Sequence, residues 1–383
     1  MKILNVISLM DPVTGGGIKE RIYHLSKNLI QRGHQCTILA TSRGWNQEFI
    51  DTIAGLEGVN VPCLSERFMI PMGAGKWLDE NIHRFDVVHL AGNWSPINVV
   101  AYYSARKYNI PYVFSGMGLL DILERSLVIK YIYSHFWTRP MLRNANAVIA
   151  ISPREYGNCV RLGVKDKNIS FIPNAITSDG LDVKDDESFR KYYGLDNRKI
   201  ILYIARLSHE KGVDLLVEAF FLIASEFSDH QLVIFGNDHG GFKAYVEKRI
   251  DILNIRDKVK IFPPVFGVRK SWAYHAAELF VIPSRYDTMT IVALEVAVCA
   301  CPLLITDQAD FPAIGESGGA LIVKCDAQAI SVGLRRLLAD PHVLNQMGAR
   351  ASKFVLENYH WNNVSESFIE LFYRVSNEGK VAN

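Results

Sequence analysis

Short, almost uninterrupted apolar runs alternate along the chain with longer stretches whose apolar positions recur every three to four residues. Lys2–Ser8 (KILNVIS) and Gln35–Thr41 read as buried strands, with a helix over Ile18–Arg32 between them that stops at Gly33. Further strands are predicted at Asp86–Leu90, Pro111–Ser115, Ala147–Ile151 and Ile169–Ile172. A second series begins at Lys199, where KIILYIARLSHEKGVDLLVEAF reads as strand, loop and helix. It continues with strands at Gln231–Phe235, Val259–Phe262 and Ala277–Pro283. Strands that are apolar throughout and separated by helices predict an α/β fold with parallel, doubly wound sheets covered on both faces. The acidic run Asp179–Glu187 reads as a solvated connector between two such sheets. The predicted domains are therefore residues 1–178, joined by a last helix near Val364–Ser376 (about residues 364–383), and residues 179–363.

Composition changes this picture little: 383 residues, 49% apolar and 21% charged, suffice for two ordinary cores. Charge is unevenly spread, with 19 Lys and Arg against 13 Asp and Glu in residues 1–173, and 23 against 27 in the remainder. A basic first half suits an anionic acceptor or membrane surface, and equally an ordinary solvated face. The six cysteines have no metal-type spacing and several sit in apolar runs, so reduced, buried thiols in a cytoplasmic protein are expected. The run from Met1 ends at Asp11-Pro12, too early for a signal peptide, and no uninterrupted apolar stretch is long enough to span a bilayer.

The candidate chemistry collects at strand ends. Ser284 to Pro302 (SRYDTMTIVALEVAVCACP) follows an apolar strand and turns into a helical pattern, with Asp287 and Glu295 eight positions apart, about 12 Å if all of it were helix. On that reading the two carboxylates share a face and hold two parts of one elongated ligand. The unpaired N–H groups of the helix start favour phosphate between them. The same Ser-x-x-Asp is also an ordinary helix start. Arg206 and Lys211 flank the loop after the Lys199 strand and suit a diphosphate. The glycines Gly15, Gly16 and Gly17 permit close backbone approach of a ligand or simply form a tight turn. They lack the full G-x-G-x-x-G spacing of a dinucleotide site. His89, at a strand end, reads as a structural histidine rather than a ligand. Leu123–Arg143 mixes Arg125, Lys130, Arg139 and Arg143 with Tyr131, Tyr133, Phe136 and Trp137. That fits a membrane interface or a packed helix with a solvated face. No Asp-x-Asp closes an apolar strand, so no metal is expected, and no nucleic-acid partner.

These residues resemble the large retaining GT-B glycosyltransferase family known as glycosyl transferases group 1, or family four, found in bacterial polysaccharide and glycolipid synthesis. Its usual wording is similar to PSxxEGFGLVxxEAxAxGxP. Pro283, Ser284, Val292, Glu295 and Pro302 match it here, while Asp287 stands for the first Glu and Thr288, Met289 and Thr290 for Gly-Phe-Gly. Arg206 to Gly212 resembles the family's Gly-Arg-Leu-x-x-x-Lys-Gly with Ala205 in place of the glycine. Ile172-Pro173-Asn174-Ala175 resembles Ile-Pro-Asn-Gly, and the Gly236 loop resembles Gly-Pro-Asp-Glu-Gly-Gly. In PYVFSGMGLLD, Met117 replaces a His or Arg of relatives.

The resemblance implies two Rossmann-like domains and a nucleotide-diphosphate sugar, most simply a UDP-hexose, bound to the second. Arg206, Lys211, Asp287 and Glu295 would be the catalytic set: Arg206 and Lys211 on the diphosphate, Glu295 on the ribose, Asp287 on the sugar. Gly16, Gly17, Gly236, Val265, Met289, Thr290, Ile291 and Val292 would complete the donor site. The acceptor, a saccharide or lipid-linked saccharide, would lie by Gly116, Met117, Gly118 and Asp121 of the first domain. With no general base in view, the departing phosphate oxygen would take the acceptor's proton. No cofactor is implied beyond the donor. A sugar-nucleotide epimerase of the same fold, and a non-catalytic nucleotide-binding partner of a synthesis complex, remain as alternatives.

Overall fold

The structure, a computed structural model, describes residues 1–11, 16–65, 68–122 and 126–381. Of the predicted features, Pro12, Gly15, Leu123 and Arg125 lie outside the described residues. The chain divides into two compact units, residues 1–174 with 361–383, and residues 175–360.

The first unit holds a seven-stranded parallel sheet. Its strands are β1 (Lys2–Ile7), β2 (Gln35–Thr41), β3 (Glu57–Val61), β4 (Val87–Ala91), β5 (Tyr112–Ser115), β6 (Ala147–Ala150) and β7 (Ile169–Phe171). Their spatial order is 3-2-1-4-5-6-7. The apolar runs form the strands because every residue from Ile3 to Ile7 of β1 and every residue of β4, β5 and β6 is buried. β3 is an exception: EGVNV sits at the sheet edge, mostly part-exposed, and its polar composition hides it from an apolar-run reading.

The helix Trp361–Val381 packs on this same sheet. Phe368 and Phe372 put their rings 6.0 and 5.7 Å from that of His89, and Arg32 reaches the Asn362 carbonyl at 2.9 Å. His89 is a fully buried structural residue, as expected. Asn5 donates its amide to Ser26 Oγ, which leaves its oxygen to accept from His89 Nδ1 at 2.9 Å; Nε2 then accepts from Ser115 Oγ at 2.8 Å. Burial, with the Arg21 charge nearby, lowers the imidazole pKa to about 3.

The second unit holds a six-stranded parallel sheet of β8 (Lys199–Ile204), β9 (His230–Phe235), β10 (Val259–Phe262), β11 (Ala277–Ile282), β12 (Leu303–Thr306) and β13 (Ala320–Val323), in the order 10-9-8-11-12-13. Successive residues of β8 feed opposite cores: Ile200, Leu202 and Ile204 pack on one face, Ile201 and Tyr203 on the other. The acidic run from Asp179 is not merely a connector. Asp185 accepts from Ser188 N–H at 2.9 Å and so caps the helix Asp186–Tyr193, and Asp186 and Glu187 sit in its first turn, where carboxylates oppose the helix dipole favourably.

In both sheets the strand order reverses beside the first strand, between β1 and β4 and between β8 and β11. Doubly wound sheets carry ligands outside the carboxyl ends of the strands at such reversals.

Candidate active site

In the second unit the loops after β8 and β11 meet at the reversal. Two backbone hydrogen bonds clip them together: the Glu210 carbonyl accepts from Arg285 N–H at 2.7 Å and from Tyr286 N–H at 3.1 Å. Arg285 then grips buried Asp214 through both guanidinium nitrogens, at 2.8 and 2.7 Å, and donates to the His209 carbonyl at 2.8 Å. The Asp214 hydrogen bonds raise the Arg285 pKa further, so this clamp stays charged. The turn at Gly212 has φ of +66°, which only glycine adopts without strain.

This clamp positions Lys211. Its ammonium lies 2.6 Å from Asp287 Oδ2, in an ion pair whose side chains are 17% and 11% exposed. Ser284 Oγ donates to the same carboxylate oxygen at 3.2 Å, and Thr288 N–H donates to the other at 2.9 Å. Arg206, five residues before Lys211, is exposed, and its carbonyl accepts from Tyr203 Oη at 2.9 Å.

The helix Ile291–Val298 starts beside the pair, and its cap residue Thr290 makes no side-chain capping bond. Asp287 therefore precedes the helix, in the turn. The expectation of two carboxylates sharing one helical face is corrected accordingly, because only Ile291 onward is helical. Glu295 lies within that helix and is held from elsewhere: Lys270 Nζ contacts its two oxygens at 2.8 and 2.6 Å, and Tyr274 Oη donates at 2.7 Å. Both partners come from the helix Val268–Ala276, where a spacing of four puts them on one face. Burial first, and the adjacent Glu295 charge second, push the Tyr274 hydroxyl well above its ordinary pKa, so it remains a donor.

Two residues predicted for the donor site have buried side chains. The Met289 side chain is only 2% exposed and lies in the apolar core, with a φ of 46°, and its N–H donates to the Ala309 carbonyl at 3.2 Å. Val265 is likewise a core residue, 3% exposed, between the exposed residues Pro264 and Phe266. Thr290, Ile291 and Val292 are part-exposed at the helix start. Gly236 is needed for close approach of backbone: a Cβ there would stand 2.0 Å from the Ala205 carbonyl oxygen.

In the first unit, Gly16 and Gly17 are exposed at the start of the helix Gly16–Gln31. Gly116 and Gly118 follow β5 and are organised by buried Glu155, which the sequence reading missed. Its Oε1 accepts from Gly118 N–H at 2.8 Å and its Oε2 from Ile151 N–H at 2.9 Å. A Cβ on Gly116 would lie 2.6 Å from that carboxylate. Met117 is buried with φ of 55°. Asp121 accepts from Asn158 at 2.8 Å and pairs with Arg161 at 2.7 Å. Among the described residues no cluster of three or more His, Cys, Asp or Glu could hold a metal ion.

Two family descriptions match the chain, "Glycosyltransferase Family 4" over residues 15–179 and "Glycosyl transferases group 1" over residues 185–354. Together with the two parallel-sheet units, they mean that the chain belongs to the group 1 glycosyltransferases and has the GT-B fold. It is similar to an uncharacterized glycosyltransferase of Methanocaldococcus jannaschii, 23% identical over 97% of this chain and 98% of that one. It is 28% identical to the D-inositol 3-phosphate glycosyltransferase of Kineococcus radiotolerans over 46% of this chain, spanning 44% of that relative's length. HepE of Anabaena, solved in complex with UDP and glucose, superimposes with a TM-score of 0.79 at 16% identity, covering 98% of this chain and 100% of that one.

Proposed function

We propose that the chain is a retaining hexosyltransferase that moves a sugar from a nucleotide diphosphate, most simply a UDP-sugar, to a saccharide or lipid-linked saccharide. The observation that carries this reading is the Lys211–Asp287 ion pair at the uncapped start of the helix Ile291–Val298, at the reversal of the second sheet. Lys211 and the nearby exposed Arg206 supply the cations for a departing diphosphate, and the helix N–H groups add to them without reorganising. Asp287, fixed by Lys211, Ser284 and Thr288, is oriented to accept hydrogen bonds from sugar hydroxyls. Glu295, held by Lys270 and Tyr274, serves the ribose.

In the reaction the bond between the anomeric carbon and the diphosphate oxygen breaks, and the acceptor oxygen bonds to the same face of that carbon. The acceptor's proton passes to the departing phosphate oxygen. Gly116, Gly118 and Asp121 are assigned to the acceptor side and the first unit to the acceptor. HepE's complex with UDP and glucose supports the choice of a UDP donor.

Calorimetric titration with UDP-glucose, UDP-N-acetylglucosamine, UDP-galactose and GDP-mannose tests the reading. Selective binding of one donor, lost in Arg206→Ala, is expected, with Glu295→Ala losing donor affinity and turnover together. Interconversion of the donor without acceptor would instead identify an epimerase. An absence of any nucleotide binding would identify a non-catalytic partner.

A further inference from the structure

The first unit carries an apolar helix that its own fold does not cover. Leu127–Tyr133 (LVIKYIY) contains no buried residue. It continues through a π-helical turn, Ser134–Thr138, into the helix Arg139–Arg143, with right-handed helical dihedrals at every junction. Pro140 explains the wide turn, since its ring cannot accept the ordinary close approach of the carbonyl four residues earlier. One side of this rod is anchored. Tyr133 Oη donates to the Ser95 carbonyl at 3.1 Å, Thr138 Oγ1 donates to Asn93 at 2.9 Å, and Met141 and Leu142 are fully buried. The other side exposes Leu127, Val128, Ile129, Tyr131, Ile132 and Phe136, with Val128 72% and Phe136 59% exposed.

A surface helix ordinarily turns its apolar stripe inward, so a contiguous outward apolar face marks a binding surface. Charge decides what binds. From Ser126 to Asn146 the sequence holds Lys130, Arg139 and Arg143 and no Asp or Glu. Lys130, part-exposed, stands 6.0 Å above the Trp94 ring, and Arg139 is exposed at the far end of the face. Two copies of this face placed together would oppose like charges, whereas an anionic bilayer answers both the cations and the apolar row. The exposed tyrosine ring in the row, Tyr131, suits the level of lipid headgroups. No helix among the described residues is long and apolar enough to cross a membrane, so contact would be in the interfacial plane.

We infer that the face formed by Leu127, Val128, Ile129, Tyr131, Ile132 and Phe136 docks the protein in the plane of an anionic lipid bilayer. The docking is independent of which nucleotide or acceptor the protein uses. The first unit thereby meets its bilayer in a fixed orientation, with Lys130 and Arg139 on lipid headgroups.

Co-sedimentation of the full chain with phosphatidylcholine vesicles, with and without phosphatidylglycerol, tests this. Binding to the anionic vesicles is expected to exceed that to the neutral ones by about thirtyfold, as two cations at the surface provide, and to weaken with salt. The double variant Val128→Glu/Ile132→Glu, which changes only exposed side chains, should lose binding at least tenfold with an unchanged circular dichroism spectrum. Arg139→Glu should lower the preference for anionic vesicles alone. Failure to bind anionic vesicles, or equal binding by the double variant, would overturn the inference. So would a wild-type dimer in sedimentation velocity that the double variant abolishes, because a second copy would then cover the face.

Discussion

A side chain on Gly212 has no place to go: its Cβ would stand 1.9 Å from the carbonyl oxygen of Pro283. The loops after β8 and β11 thus touch backbone to backbone, and that contact sets the reach of Lys211 toward Asp287.

Gly212→Ala is therefore expected to destabilise the second unit by more than ~1 kcal/mol, because it adds a clash to a left-handed backbone conformation. Urea unfolding measures the loss. A variant of wild-type stability would mean that the two loops separate freely.

Lys211 and Asp287 should be coupled. Lys211→Ala and Asp287→Ala are each expected to cost about 1–3 kcal/mol in stability, since each strands a part-buried charge. The double variant should lose less than the sum, with a coupling of roughly 1–2 kcal/mol in a double-mutant cycle. Additive losses would show that the 2.6 Å contact carries no net interaction.

His89 makes stability depend on pH. The unfolded imidazole takes up a proton as pH falls through 6.5, while the folded one stays neutral to about 3. Its contribution is complete above 6.5 and is lost progressively as pH falls toward 3, by up to ~1.4 kcal/mol per pH unit. Urea unfolding between those limits should show His89→Gln with a shallower slope, by about one proton.

The thiols should divide by burial. Cys36, Cys159, Cys299 and Cys301 are buried, and burial raises each thiol pKa, to about 12 for Cys36, Cys159 and Cys299. Cys63 and Cys325 are part-exposed. A native-state titration with a chromogenic disulfide reagent should find two reactive thiols, and the other four only in denaturant.

The sheets were legible in the sequence because strands buried on both faces need unbroken apolar runs, as in Ile200–Ile204. The strand Glu57–Val61 was not, since an edge strand needs no such run, and Leu303–Thr306 and Ala320–Val323 also went unpredicted, being only four residues long. Arg206, Lys211, Asp287 and Glu295 stood out by spacing and by family wording. Their partners did not: Lys270 and Glu295 are 25 residues apart, and only the tertiary fold joins them. The burial of the Met289 side chain and its positive φ were likewise not legible, since neither leaves a mark on residue spacing.

The helix Trp361–Val381 has a consequence for the order of assembly. Residues 175–360 form one uninterrupted segment, while the first unit needs chain from both sides of it. On the ribosome, the aromatic wall of Phe368 and Phe372 that shields His89 is synthesised only after the whole second unit has been made. The half of the protein translated first is the half completed last, and until then its central histidine lacks its cover.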